Sequence, residues 1–285
     1  MWIYQKLEIL QNLKTLHILG MKIVVFDLDE TLGYFTEFGI FWDSLVQYLK
    51  SINKPALNQH DFDDVLDLYP EFLRPNIINI LNYLKEKKHS NCCHKMMIYT
   101  NNNGPREWAE HIIRYFEKKV NYKLIDQLIA AFKVNGKTVE ICRTTHNKTH
   151  KDFIKCTRIL SNAEICFLDD TFYPEMANDN IYYINVKPYY YDLPFDYMLQ
   201  KFMESEVGKK IIGSGLDFTE QMMKNIKLYK YECINKDSDE YEVDKILGKH
   251  IVTHLQQFFN KSRRNKTQKN RGKRSLKKKT YRKYD

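Results

Sequence analysis

The stretch Asp27-Leu28-Asp29-Glu30-Thr31 sets two carboxylates two residues apart, directly after the apolar run MKIVVF (21–26). Two ionised carboxylates at that spacing repel unless a divalent cation or a shared proton relieves them. An acidic turn capping the next helix is the plain structural alternative. A second acidic pair, Asp169-Asp170, follows the apolar run EICFL (164–168), and on its own it also reads as a helix N-cap. Thr100-Asn101 ends a third run, KMMIYT (95–100). Its hydroxyl and amide either donate to an oxyanion or bond locally within a turn. Lys151 lies in THKDFIKC, eighteen residues before Asp169. A lone lysine is ordinarily a solvated charge, but beside four carboxylates and a phosphate it neutralises both. Lys148, one helical turn earlier, competes for that role.

The three runs, together with IYYINV (181–186), have the length and composition of buried strands. Between them the apolar spacing is helical. Phe41, Trp42, Leu45, Val46 and Leu49 share one face, as do Ile77, Ile78, Leu81 and Leu84 after Pro75 in a first-turn position. Pro105 opens a helix through Lys119, and another starts near Thr149. Strands alternating with helices predict an α/β fold with a parallel central sheet in a three-layer, Rossmann-like arrangement. Ligands in such sheets sit beyond the carboxyl ends of the strands, where all the residues above fall. The expected organisation is an N-terminal segment (1–20) and a core (21–192) with a small helical cap insertion at 32–70. A helical extension (193–260) and a basic tail (261–285) follow.

The order DxDxT, Thr, Lys, Asp-Asp resembles the haloacid dehalogenase superfamily of phosphotransferases. Within it, Val25-Phe26-Asp27-Leu28-Asp29-Glu30-Thr31-Leu32, Leu73-Arg74-Pro75 and Lys151-Asp152-Phe153 resemble the NLI-interacting-factor-like (FCP/SCP) branch, which acts on the RNA polymerase II C-terminal domain and related phosphoproteins. The resemblance spans roughly residues 20–190. The chain departs from the branch at Gly33-Tyr34, where Val-His is common, at Asn102-Asn103, and at Asp170, where Asn is common. The resemblance implies that Asp27 is a nucleophile forming an aspartyl-phosphate and that Asp29 is the acid and base. It implies Mg²⁺ held by Asp27, the Asp29 backbone carbonyl, Asp169 and Asp170. Thr100 and Lys151 would bind phosphoryl oxygens, with Thr31 and Asn101 beside them. The implied substrate is a phosphoserine or phosphothreonine protein. A metabolite, nucleotide or nucleic-acid-end phosphatase on the same core is one rival, and a non-catalytic scaffold or nucleic-acid-binding protein is another.

Net charge sharpens the reading of partners. The chain of 285 residues carries +9, yet residues 261–285 alone hold 13 Lys/Arg against one Asp. Residues 1–260 keep 32 basic and 35 acidic side chains, which excludes a basic DNA-binding domain as the source of the high pI. No apolar run reaches the roughly 18 residues of a membrane span, and the N-terminus does not read as a secretory signal. Six scattered cysteines without CxxC spacing predict reduced thiols in an intracellular compartment, cytoplasm or nucleus. A tail rich in charge and poor in apolar residues is expected to be disordered and to bind nucleic acid or an acidic surface. Gel shifts on the full chain and on residues 1–260 across a salt series test this. Binding should vanish with the tail and weaken steeply with salt, and equal binding by both chains would refute it.

Overall fold

The computed structural model describes residues 20–213, 217–233 and 236–260. The chain runs through β1 (Lys22–Phe26), α1 (Thr36–Ser51), α2 (Gln59–Leu66), α3 (Ile77–His89), β2 (Lys95–Tyr99), α4 (Arg106–Val120) and β3 (Gln127–Ile129). Next come a hairpin of β4 (Lys133–Val134) and β5 (Lys137–Thr138), then α5 (His150–Thr157), β6 (Glu164–Asp169) and β7 (Ile181–Asn185). Four helices form the extension: α6 (Phe195–Glu204), α7 (Glu206–Ile212), α8 (Phe218–Lys227) and α9 (Ser238–Asn260). The basic tail and residues 1–19 lie outside the described residues.

A run of four fully buried side chains explains the position of β1. It is the middle strand of a five-stranded, all-parallel sheet ordered β3-β2-β1-β6-β7. Strand side chains alternate faces, so a middle strand covered on both sides must be apolar throughout. Ile23 and Val25 meet Met97, Ile165, Phe167 and Phe153 of α5 on one face. Val24 and Phe26 meet Met96, Ile98, Leu168 and the helices α1, α3 and α4 on the other. The predicted α/β sandwich is therefore the observed one. The Asp27 N–H donates to the Leu168 carbonyl at 2.9 Å, so the DxDxT stretch leaves the sheet beside the end of β6.

Several elements differ from the sequence expectation. Helix α1 begins at Thr36, ahead of the apolar stripe that starts at Phe41. Pro75 stands outside α3, because Asn76 adopts a left-handed conformation (φ 69°) and takes the N-cap position instead. Strand β3 was not expected: only Leu128 and Ile129 are apolar, and it pairs with β2 alone at the sheet edge. The β4–β5 hairpin turns on Asn135-Gly136, both at positive φ, which is the turn chemistry a two-residue hairpin requires.

The helical extension folds onto α1. Tyr48 meets Phe218 edge-on at 5.0 Å, and the Asn225 amide donates to the Ser44 carbonyl at 3.2 Å. Among the described residues no helix is long and apolar enough to cross a membrane.

Glu37 on α1 is fully buried, with its carboxylate accepting from the Leu193 N–H at 2.7 Å and facing the Cys233 thiol. Burial pushes its pKa up to about 8 from an ordinary 4.5, against those two hydrogen bonds. Between these values the folded chain holds a proton that the unfolded chain has released. Stability should therefore fall as pH rises from about 4.5 to about 8, then level off. Glu37→Gln should remove that slope, so its advantage in urea unfolding grows from pH 5 to pH 8. An advantage independent of pH would show Glu37 to be ionised in the fold.

Candidate active site

The carboxyl ends of β1, β2 and β6 converge on one buried ammonium. Lys148 Nζ lies 2.5 Å from Asp27 Oδ1 and 2.7 Å from Asp169 Oδ2, and all three side chains are buried. One oxygen from each of Asp27, Asp169 and Asp170 falls within 4.8 Å of the others. Burial pushes the pKa of Asp27 and Asp169 up, against the pull of Lys148. Burial also opposes the charge on Lys148, but the two carboxylates outweigh it and hold the ammonium above its usual range. One positive charge cannot balance three carboxylates at this spacing. The all-oxygen set matches the donors a hard divalent cation takes, and such an ion removes the remaining repulsion.

The loop after β1 arranges the other carboxylates. Leu32 N–H donates to Leu28 O and Glu30 N–H to Gly33 O, folding residues 28–33 into a tight turn with Glu30 at φ 57°. Gly33 is required here, since an added Cβ would stand 2.5 Å from the Phe72 carbonyl oxygen. Buried Arg74 donates to the carbonyls of Thr31, Glu30 and Lys187, tying this turn to the segment after β7. Thr31, expected to bind phosphate, instead donates its hydroxyl to Asp170 Oδ1 at 3.0 Å and accepts the Asp170 N–H. It positions a carboxylate. Asp29 accepts from the Asn102 amide at 2.8 Å, and burial with Asp27 nearby raises its pKa to about 7.

Beyond β2, Thr100 is buried and its hydroxyl accepts the Asn102 N–H at 3.0 Å. Asn101 does not present its amide to a ligand. Its nitrogen donates to the Tyr173 hydroxyl and its oxygen accepts from Arg143. Asn102, read from sequence only as an unusual residue, is the one that reaches the carboxylates.

The lysine assignment needs correction. Lys151 is exposed on the first turn of α5, while Lys148 enters the cluster. Thr149 is the N-cap of α5, accepting the Asp152 N–H at 3.0 Å. Lys148 thus sits on the extended segment before the cap and reaches the strand ends, whereas the buried face of α5 is taken by Asp152 and Phe153. The preceding loop is held by Arg143, absent from the sequence reading. Its guanidinium donates to the carbonyls of Thr100, Ala130 and His146. Asp152 accepts from the Thr144 N–H at 2.7 Å. The expectation of reduced thiols is also corrected, because Cys142 and Cys156 form a disulfide across a separation of 14 residues. Their spacing in sequence carries no pairing signal; the loop folding back on α5 brings them together.

Above the cluster opens a cavity of about 840 Å³. Asp27, Asp29, Thr100, Lys148 and Asp170 form its floor, and α1 from the expected cap segment forms a wall. No protein-family model matches the chain, and no curated protein matches it either. The site must therefore be read from its own geometry.

Lys148 lies inside the loop closed by the disulfide, six residues after Cys142. Closing a loop of this size contributes up to about 3 kcal/mol through the unfolded chain. The double variant Cys142→Ser/Cys156→Ser should lose about 2–3 kcal/mol in urea unfolding. Four thiols should react in denaturant before reduction and all six after it. Six reactive thiols at the outset would show that the bridge does not form.

Proposed function

We propose that the chain is a magnesium-dependent phosphomonoester hydrolase of the haloacid dehalogenase type, with Asp27 as its nucleophile. The observation that carries this reading is the Lys148 bridge between Asp27 and Asp169 at the floor of a cavity, with Asp29 and Asp170 beside it. A carboxylate held by an ammonium, among carboxylates that need a further cation, suits attack on an anionic phosphorus centre.

In the first step an Asp27 oxygen bonds to phosphorus as the ester P–O bond breaks, and Asp29 gives its proton to the departing oxygen. In the second, water bonds to phosphorus, Asp29 takes the water's proton, and the bond from phosphorus to Asp27 breaks. Asn102 holds the Asp29 carboxyl in orientation for both transfers. Lys148 and Thr100, both on the cavity floor, bind the non-bridging oxygens of the phosphoryl group as it passes to Asp27. Asp27, Asp169 and Asp170 would hold the magnesium ion, with Thr31 fixing Asp170. When bound, the ion supplies positive charge against the phosphoryl group and the carboxylates.

For the substrate we favour phosphoserine or phosphothreonine in a protein, the class the FCP/SCP resemblance implies. Lys148 is the only Lys or Arg lining the cavity among the described residues, which disfavours a polyanionic nucleic-acid end. A scaffold role leaves the buried cluster without a use.

Asp27→Asn should lower hydrolysis of p-nitrophenyl phosphate at least about 10³-fold, because an amide is not a nucleophile. EDTA should abolish wild-type turnover and Mg²⁺ should restore it. Most activity surviving in Asp27→Asn, or after exhaustive chelation, would sink this reading.

A further inference from the structure

The cavity has a second part that the hydrolytic step does not use. Away from the floor its wall is built from Ile40, Trp42, Val46, Trp108 and Tyr229, with Asp43 and Glu107 at the rim. Trp108 lies so close to α1 that a Cβ added at Gly39 would stand 3.3 Å from its ring. A volume of about 840 Å³ exceeds what a phosphoryl group needs and accommodates a sizeable apolar body. The only lysine or arginine among the described lining residues, Lys148, is already shared by Asp27 and Asp169, so no cation remains for a second phosphate.

One wall residue comes from outside the sheet domain. Tyr229 follows α8, and its hydroxyl donates to Asp43 and accepts from the Gln47 amide. The segment carrying it is latched twice more. The Tyr231 hydroxyl donates to Asp192 at 2.6 Å and bonds the Tyr34 hydroxyl at 2.7 Å, and Cys233 meets Glu37. Behind it, Met222 and Ile226 of α8 are buried against the body of the protein. Tyr229 is thus held at the cavity as a residue 41% exposed, accessible to a ligand.

We propose that Tyr229, supplied by the helical extension, is a specificity-determining residue that completes an aromatic subsite for a flat apolar group borne by a monophosphate ester. The proposal rests on the phosphatase reading for turnover but not for binding. The apolar group has two sources: the body of a small ester, or a side chain next to the phosphorylated residue of a peptide. Either way the preferred ligand carries a single phosphoryl group, and a nucleoside diphosphate is excluded.

The test compares wild type, Tyr229→Ala and Tyr229→Leu in Mg²⁺. Its probes are 1-naphthyl phosphate, free phosphoserine, ADP, and two phosphoserine peptides with Phe or Ser next to the phosphoserine. Tyr229→Ala should raise KM for naphthyl phosphate about 10-fold with kcat unchanged, and leave KM for phosphoserine within about twofold. Tyr229→Leu keeps apolar bulk and should lie between. If the natural source is a peptide, the Phe peptide should outcompete the Ser peptide in wild type and lose that advantage in Tyr229→Ala. If the source is a small ester, the peptides should bind alike and only naphthyl phosphate should respond. Calorimetric Kd values for naphthyl phosphate separate this inference from the phosphatase reading. Binding that depends on Tyr229, without turnover of any ester, keeps the subsite and overturns the hydrolase. A Kd unaffected by Tyr229→Ala, a parallel rise in KM for naphthyl phosphate and phosphoserine, or preferential binding of ADP would overturn the subsite.

Discussion

A buried ammonium between two buried carboxylates sets the terms for the rest of the molecule. Taking Lys148, Asp27 and Asp169 out of water is costly, and their mutual attraction offsets that cost only with close contacts and the remaining lone pairs satisfied. The contacts are close, at 2.5 and 2.7 Å, and the second Asp169 oxygen accepts the Thr171 N–H. Removing one partner from a buried pair typically costs about 3–5 kcal/mol, because a bare charge is left behind. The ends of β1 and β6 and the loop before α5 must therefore meet at one point for the fold to be stable. The same meeting point is the floor of the cavity. A third carboxylate, Asp170, is then held against this pair by Thr31 although charge repulsion opposes it.

Holding a lysine in such a place requires a stiff loop. Residues 139–149 have little regular structure, so their position comes from long-range bonds. Arg143 gathers carbonyls from the end of β2, the end of β3 and its own loop, and its guanidinium stacks 4.8 Å from the Tyr99 ring centre. Asp152 and the disulfide fasten Thr144 and Cys142 of the loop to α5. The same guanidinium fixes Asn101, which in turn holds Tyr173, whose ring lies 5.3 Å from Lys148 Nζ. The geometry of the site and the rigidity of the loop are thus one network.

How much of this is legible in the sequence depends on the range of the interaction. The strand runs at 21–26, 95–100 and 164–168 announce themselves through local composition, and residues placed immediately after them must stand at the sheet's carboxyl edge. That is why Asp27, Thr100, Asp169 and Asp170 could be read directly. Whether Lys148 or Lys151 enters the site is decided by the N-cap at Thr149, since one residue of helix start rotates each following side chain by about 100°. Composition does not resolve that rotation. Thr31 and Asn101 were placed at the right end of the sheet, but their side chains are claimed by Asp170, Tyr173 and Arg143, partners remote in sequence. Arg143 and the Cys142–Cys156 bridge left no local trace at all. The Asn135-Gly136 turn did leave one, and a hairpin could have been read from it.

The two faces of the sheet are covered unequally, and this accounts for the extension. One face is closed by α5 and the short turn at Pro174–Met176, which suffices for the side chains of Ile23 and Val25. The other supports α1, whose Phe38, Phe41, Trp42, Leu45, Tyr48 and Leu49 are all buried. These positions extend around more than one side of the helix, and a helix apolar on so wide an arc cannot be satisfied by the sheet layer alone. Phe202 of α6 meets Phe41, and Phe218 of α8 meets Tyr48, so the extension covers the side of α1 that the core leaves open. Because α1 is also a wall of the cavity, the extension fixes that wall's position as well as contributing Tyr229 to it. Residues beyond Asp192 therefore belong to the cavity's architecture, even though every charged group on its floor lies between Asp27 and Asp170.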